Sequence, residues 1–223
     1  MNLTLSKRRT ITALCTALLI AGCASIPDIK EVPDPPVDQG AIIGIRVSNS
    51  SPRMYLPPEG VYFVRLDNQS LLGQEILRSN FRIADRMYLL NAAPGTYVAI
   101  GNVLNAQTGP TAKITTYFAR DLVEKTRITV APGEFAFMGA LVFEGSRAWS
   151  AGDDVQTHYR KHLAPDAVAG GVANSIMQHF SGHVAVWGSL SHFTKDDQSR
   201  TAFLLQARED LAGSEWIPLI SEP

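Results

Sequence analysis

Short segments in which apolar and polar residues alternate dominate the chain after residue 40. A period of two is typical of β-strands, because successive side chains then point to opposite faces. Many of these segments are rich in β-branched and aromatic residues, as strands generally are. The pattern predicts strands over Ala41–Ser48, Gly60–Leu66, Glu75–Arg78, Arg86–Asn91, Thr96–Leu104, Ala112–Phe118, Thr126–Val130 and Phe135–Phe143.

Turn signals such as Asn105 to Pro110 separate these predicted strands, and no helical pattern alternates with them. That arrangement favours an antiparallel β-sandwich over a parallel α/β sheet. Apolar residues make up 45% of the chain and charged residues 18%, which excludes an intrinsically disordered chain. The predicted fold class is α+β, mainly β: an antiparallel β-sandwich followed by a C-terminal helical segment with one returning strand.

Two corners of the predicted sandwich repeat one motif. Ala93-Pro94-Gly95-Thr96-Tyr97 and Ala131-Pro132-Gly133-Glu134-Phe135 share Ala-Pro-Gly, one polar residue and then an aromatic residue that begins a strand. Proline and glycine suit the two central positions of a type II turn, so we expect such a turn at each corner and an aromatic side chain inside the sandwich. The motif resembles turns of transthyretin-like and carboxypeptidase-regulatory-like sandwiches. That resemblance concerns the fold over about residues 41–145 and implies no catalytic residue.

The segment 151–223 has a more helical pattern and is expected to pack on the sandwich, which would span residues 41–150. We expect helices over Asp153–Leu163, from Pro165 to Phe180 and from about Asp196 to Leu211. In the last of these, Phe203, Ala207 and Leu211 lie on one face, and Gly213 ends the helix. Between the last two helices, His183–Leu190 alternates as a single strand that returns to the sheet.

The pattern of the N-terminal residues predicts an export signal. Lys7, Arg8 and Arg9 precede an apolar stretch, Ile11–Ile20, that is too short to span a bilayer. The sequence Ile20-Ala21-Gly22-Cys23 follows and resembles the lipobox of bacterial lipoproteins. The resemblance implies that residues 1–22 are removed as a signal peptide and that the Cys23 thiol receives the lipid. The alternative is a plain secretory signal in which this cysteine is accidental.

The lipoprotein resemblance also implies a location. Ala24 follows the cysteine, where an aspartate would favour retention in the inner membrane of enteric-type bacteria. We therefore expect a lipid-anchored protein of the outer membrane that faces the periplasm. Residues 23–40 would form the lipidated cysteine and a proline-rich tether. Removal of residues 1–22 takes away three bases and no acid, which moves the formal net charge from −1 to −4.

Histidine is the best candidate for chemistry. All five histidines lie in one stretch: His158, His162, His179, His183 and His192. His158 and His162 are four residues apart, so on a helix they share one face and form a candidate transition-metal pair. His179 and His183 have the same spacing, but Gly182 separates them. Asp153, Asp154 and Asp166 would complete a site only through tertiary contacts. The alternative is that these are ordinary histidines of a helical tail.

Other site chemistries find little support. The only cysteines, Cys15 and Cys23, lie within the first 23 residues, and the lipobox resemblance implies that Cys15 is removed and Cys23 is lipidated, so neither a disulfide framework nor a cysteine-rich zinc module is expected. The sequence has no Gly-x-Ser-x-Gly elbow and no phosphate-binding glycine loop. The adjacent acidic pairs lie at predicted helix starts or on solvated faces: Asp153-Asp154, Asp196-Asp197 and Glu209-Asp210. The near-neutral charge excludes the basic excess of a nucleic-acid binder.

We therefore expect a non-enzymatic binding or assembly-accessory protein, with no catalytic residue and no cofactor other than the lipid on Cys23. Its expected partners are the membrane, through the lipid anchor, and an envelope protein or peptidoglycan. The competing hypothesis is a metal-binding protein or metal-dependent enzyme that uses His158 and His162.

Overall fold

The computed structural model describes residues 32, 40–49, 58–68, 75–104, 113–144, 149–151, 155–163, 183–186 and 189–220. The described strands are β1 (Ala41–Asn49), β2 (Pro58–Arg65), β3 (Ile76–Arg78), β4 (Phe81–Ile83), β5 (Arg86–Ala92), β6 (Gly95–Leu104), β7 (Lys113–Tyr117), β8 (Ile128–Val130), β9 (Phe135–Glu144), β10 (Trp149–Ala151), β11 (His183–Val186) and β12 (Ser189–Thr194). The helices are α1 (Arg120–Lys125), α2 (Val155–His158), which continues as a π-helical turn (Tyr159–Leu163), α3 (Asp197–Asp210) and a 3-10 turn (Ile217–Leu219).

The strands form two sheets. The first sheet has the order β12-β9-β1-β5-β4, and the second has the order β10-β11-β7-β6-β2-β3, with β8 pairing to β6. The chain crosses between the sheets several times, for example at Ser79 and Asn80, which join β3 of the second sheet to β4 of the first. This architecture confirms the predicted α+β, mainly β, class.

Strand β1 is buried on both faces, which explains its nearly continuous apolar sequence. On one face Ile43, Ile45 and Val47 belong to a core cluster that includes residues of both sheets. On the other face Ile42 belongs to a second cluster, which we call the helix-side cluster. Its other members come from β4, β5, β9, α3 and the C-terminal segment: Phe81, Tyr88, Leu90, Phe135, Phe137, Phe203, Leu204, Ala207, Leu211, Trp216 and Ile220. The described body therefore has three layers, with the first sheet in the middle.

Two of the strand pairs differ from a wholly antiparallel sandwich. In the part of the chain that the structure describes, β1 and β9 pair in parallel, as do β7 and β11, and the other eight pairs are antiparallel. Parallel neighbours need a long connection that brings the chain back in the same direction. Here the connections are the chain between Asn49 and Phe135 and the chain between Tyr117 and His183, both of which include other strands.

The two Ala-Pro-Gly corners are built differently. At the second corner Gly133 has φ +68°, and the Glu134 amide donates to the Ala131 carbonyl at 3.2 Å, as the type II prediction requires. At the first corner Gly95 has φ +151°, far from the value that a type II turn needs, so the expectation of two like turns is wrong. Side chains hold this corner instead: Arg65 donates to the Pro94 carbonyl at 2.5 Å and Asp67 accepts from the Thr96 amide at 2.7 Å.

The aromatic residues that follow these corners point to different layers. Tyr97 is buried in the cluster shared by the two sheets, as predicted. Phe135 instead belongs to the helix-side cluster, where its ring centroid lies 6.1 Å from that of Phe203. The prediction that both rings lie inside the sandwich is therefore wrong for Phe135. Its strand belongs to the middle layer, so its side chains also have a helix to pack against.

The C-terminal part contributes to both sheets as well as covering one of them. The single strand predicted over His183–Leu190 is two strands, because β11 pairs with β7 in the second sheet and β12 pairs with β9 in the first. Helix α3 confirms the helix predicted over Asp196–Leu211, with Phe203, Ala207 and Leu211 buried. Asp196 is its N-cap and accepts from the Ser199 amide at 2.7 Å. The helix predicted from Pro165 to Phe180 lies outside the described residues.

Candidate functional site

The structure brings His158 and His162 together. His158 ends α2 and His162 lies in the π-helical turn that continues it. The two ring centroids are 4.8 Å apart and the rings are inclined by 40°. The prediction that this spacing puts both rings on one side of a helix is therefore confirmed, although part of the turn is π-helical and not α-helical.

His158 is held by an aromatic residue that sequence reasoning did not single out. Its ring lies flat on Tyr117 of β7, with centroids 3.8 Å apart and planes inclined by 4°. Only 4% of His158 is exposed, whereas His162 is exposed. Tyr117 pairs with Gly101, and Gly101 pairs with Tyr62, so these three residues share one face of the second sheet. Because the stacking depends on a contact between distant segments, no local pattern in the sequence predicts it.

The remaining histidines do not join the pair within the described residues. His192 is exposed on β12, in the first sheet, whereas Tyr117 beneath His158 belongs to the second sheet. His183 pairs with Lys113, four residues before Tyr117. A strand advances about 3.3 Å per residue, so the His183 backbone lies about 13 Å along β7 from the His158 stack. His179, Asp153, Asp154 and Asp166 lie outside the described residues.

The chemistry available to the pair is that of two imidazoles. Structural zinc sites use four protein ligands, and catalytic zinc sites use three and keep one open position. Among the described residues there is no group of three or more histidine, cysteine or acidic side chains that could hold a metal ion. The described part of the site thus offers two metal-binding side chains. A third would have to come from elsewhere in the chain or from a small molecule bound to the metal.

A second cluster of polar side chains joins α3 to the middle sheet. Arg86 of β5 makes a bidentate ion pair with Asp210, the last residue of α3. The Nε–Oδ2 distance is 2.5 Å and the Nη2–Oδ1 distance is 2.6 Å. The Tyr88 hydroxyl donates to Oδ2 of Asp210 at 2.6 Å. Arg46 of β1 donates to the side-chain oxygen of Gln206 and lies 3.3 Å from Asp85.

The charge of Asp210 is fully paired within this cluster. Burial and the hydrogen bond to Asp210 raise the pKa of the Tyr88 hydroxyl, and the hydrogen bond from Arg86 to Asp210 raises the pKa of the guanidinium. Both oxygens of Asp210 are engaged, and its side chain is 5% exposed. The prediction that Glu209-Asp210 lies on a solvated face is therefore wrong for Asp210. The hydrogen bonds of Asp210 to Arg86 and Tyr88 connect α3 to the sheet.

The predicted lipidation site, Cys23, lies outside the described residues. Val32 is described, and it packs in a partly buried position against the helix-side cluster. Of the helices in the described ranges, none is long and apolar enough to cross a bilayer. In comparisons with known proteins, no family model, no curated protein and no solved structure matches the chain.

Proposed function

We propose that the chain is a lipid-anchored envelope protein of the outer membrane, facing the periplasm, that acts as a non-enzymatic binding or assembly-accessory module. The observation that carries the proposal is the order of the N-terminal segments. A basic region, Lys7 to Arg9, precedes the apolar stretch Ile11–Ile20, and Ile20-Ala21-Gly22-Cys23 follows at once. Lipid chains on Cys23 would stabilise membrane binding by about 0.8 kcal/mol per buried CH₂ group.

The packing of Val32 supports a short tether. Val32 lies nine positions after Cys23, and a fully extended chain of that length spans about 30 Å. The tether as expected from sequence alone ran to residue 40, which would have allowed about 50 Å in a polyproline conformation. Val32 already contacts the folded body, so the lipid would hold that body close to the bilayer surface.

The anchor is tested by replacing Cys23 with Ala and following membrane fractionation together with incorporation of labelled fatty acid. Cys15→Ala is the matched control, because Cys15 is the only other cysteine and lies in the segment that the signal would lose. We expect Cys23→Ala to abolish both lipid labelling and membrane sedimentation, and Cys15→Ala to leave both intact. Unchanged membrane partitioning of Cys23→Ala would refute the anchor.

The binding role is tested by crosslinking in intact cells followed by mass spectrometry. The full-length wild-type chain is compared with Cys23→Ala, which would be released from the membrane. We expect crosslinks to an envelope protein or to peptidoglycan that depend on the anchor. Recovery of the protein alone, from both variants, would contradict a role in binding or assembly.

A second candidate function is metal handling by His158 and His162, and the 4.8 Å separation of their rings favours it. Two imidazoles suit copper, nickel or zinc. Calorimetry with each metal tests this hypothesis, with His162→Ala as the disrupting variant and His192→Ala as the control. We expect binding tighter than micromolar, lost in His162→Ala only. No heat of binding in the wild-type protein would eliminate this candidate.

A further inference from the structure

The contact between Val32 and the helix-side cluster shows on which side of the fold the chain that leads to the lipid anchor leaves the body. Val32 packs where the outer face of the first sheet meets α3 and the C-terminal segment. The second sheet lies on the other side of the first sheet. Packed layers are spaced by about 10 Å, so α3 and the second sheet are about 20 Å apart. The chain therefore leaves the folded body on the α3 side of the first sheet.

We infer that the α3 layer is the membrane-proximal layer of the anchored protein and that the outer face of the second sheet points away from the bilayer. This inference rests on the proposed lipidation of Cys23. The linker between Cys23 and Val32 spans about 30 Å only when it is fully extended. The inverted orientation would place the whole thickness of the body between Val32 and the bilayer. Crossing about 20 Å of folded body would use most of the roughly 30 Å that the linker can reach, which restricts its conformations.

The charges on α3 indicate that the linker, and not adhesion, sets this orientation. The helix carries Arg200 and Arg208 against the three acidic residues Asp197, Glu209 and Asp210. A surface that binds anionic lipids through its charge needs a cluster of lysine and arginine. The α3 layer has no such excess, so its proximity to the bilayer is independent of anionic lipid and changes little with salt.

Fluorescent labelling of single cysteines tests the inference, because the only cysteine left in the processed chain would be the lipidated Cys23. Leu205 is 51% exposed on α3. Arg78 is exposed and lies on β3, an edge strand of the second sheet. Leu205→Cys and Arg78→Cys are purified in the lipidated form and reconstituted in phosphatidylcholine vesicles that contain a headgroup spin label. Quenching of each fluorophore by the spin label then reports its distance from the bilayer surface.

We expect several-fold stronger quenching at position 205 than at position 78, at low and at high salt. Adding Val32→Asp should release the linker from the cluster and bring the two signals closer together, whereas Val32→Ile should leave the difference intact. Equal quenching at both positions, stronger quenching at position 78, or no effect of Val32→Asp would each overturn the inference.

Vesicle flotation separates this inference from the proposed function. If the lipidated chain floats with the vesicles but quenching does not distinguish the two positions, the inference fails and the anchor stands. If the full chain carries no lipid and does not float, the anchor fails, and the orientation inferred from it fails as well.

Discussion

Arg86 on β5 forms a bidentate ion pair with Asp210 in the last turn of α3, with hydrogen bonds of 2.5 and 2.6 Å. An acidic side chain at the C-terminal end of a helix is unfavourable, because it faces the negative end of the helix dipole. The guanidinium offsets that charge, and the Tyr88 hydroxyl completes the shell around the carboxylate. The pair joins residues 124 positions apart and connects α3 to the sheet.

Removal of one member of this pair should be costly. We expect Asp210→Ala to lower the free energy of unfolding by about 3 kcal/mol, because Arg86, whose side chain is 16% exposed, would keep only its longer contact with Asp85 at 3.8 Å. The double variant Arg86→Met/Asp210→Leu should be more stable than either single variant, since it leaves no unpaired charge. Urea unfolding followed by tryptophan fluorescence, to which the fully buried Trp216 contributes, measures these effects.

The exposed pair formed by Arg127 and Glu124 is the matched control for this prediction. Its atoms lie 2.7 Å apart, but both side chains are about half exposed. We expect Glu124→Ala to change stability by less than about 1 kcal/mol. A similar cost for Glu124→Ala and Asp210→Ala would contradict the importance of burial.

The raised pKa of the Tyr88 hydroxyl predicts that the protein loses stability in alkaline solution. Burial and the hydrogen bond to Asp210 raise its pKa in the folded protein, whereas an unfolded tyrosine titrates at about 10. The unfolded chain therefore loses its proton first. The stability that the protonated hydroxyl contributes is complete below about pH 10 and decreases as the pH rises towards the folded value.

Denaturation in urea between about pH 8 and pH 11 checks this pH dependence. We expect Tyr88→Phe to lose about 1 kcal/mol at neutral pH, because one hydrogen bond is removed. Above about pH 10 its stability should fall less steeply than that of the wild-type protein. Some decline should remain, since burial also raises the pKa of Tyr97 and Tyr159. Identical slopes for the two proteins would contradict the raised pKa of Tyr88.

Local patterns in the sequence account for most of the described elements. The alternating segments predict seven strands closely, and the last helix follows from its apolar face and its Asp196 cap. The region around Thr126 is the main failure, because α1 (Arg120–Lys125) precedes a strand that begins only at Ile128. Leu122 and Val123 are buried there, but a helix of six residues is too short to show a clear period.

Contacts between distant segments are what the sequence could not predict. The parallel pairing of β1 with β9 and the stacking of His158 on Tyr117 both depend on how the sheets assemble. The burial of Asp210 likewise follows from an arginine on another strand, and nothing near Asp210 in the sequence marks it. One signal was available: Gly44 interrupts an apolar strand, and a glycine in that position indicates a close approach by another element.

The close approach at Gly44 gives a third prediction. A β-carbon built at this position would lie 2.5 Å from the Phe203 ring and 2.9 Å from the Phe135 ring. We expect Gly44→Ala to push α3 away from the sheet and to lower the free energy of unfolding by about 2 kcal/mol. Phe203→Leu should be destabilising by itself but should recover part of the loss when combined with Gly44→Ala. Strictly additive costs would show that the two residues do not compete for space.

The edge of β6 gives the last prediction. Strand β7 pairs with Gly101–Leu104 and β8 pairs with Gly95–Tyr97, so the segment between them needs other hydrogen-bond partners. Thr126, which is fully buried, provides one of them: its hydroxyl accepts from the Ala99 amide at 2.9 Å and donates to the Val123 carbonyl at 2.6 Å.

Thr126→Val keeps the shape of the side chain but leaves the Ala99 amide buried without this partner. We expect it to lower the free energy of unfolding by about 2 kcal/mol. Thr129→Val is the control, since Thr129 is exposed on β8 and its replacement should change stability by less than about 0.5 kcal/mol. Urea midpoints measure both variants, and amide hydrogen exchange at Ala99 should accelerate in Thr126→Val only. Equal stability of the two variants would mean that the hydrogen bond between the Ala99 amide and the Thr126 hydroxyl does not stabilise this edge of β6.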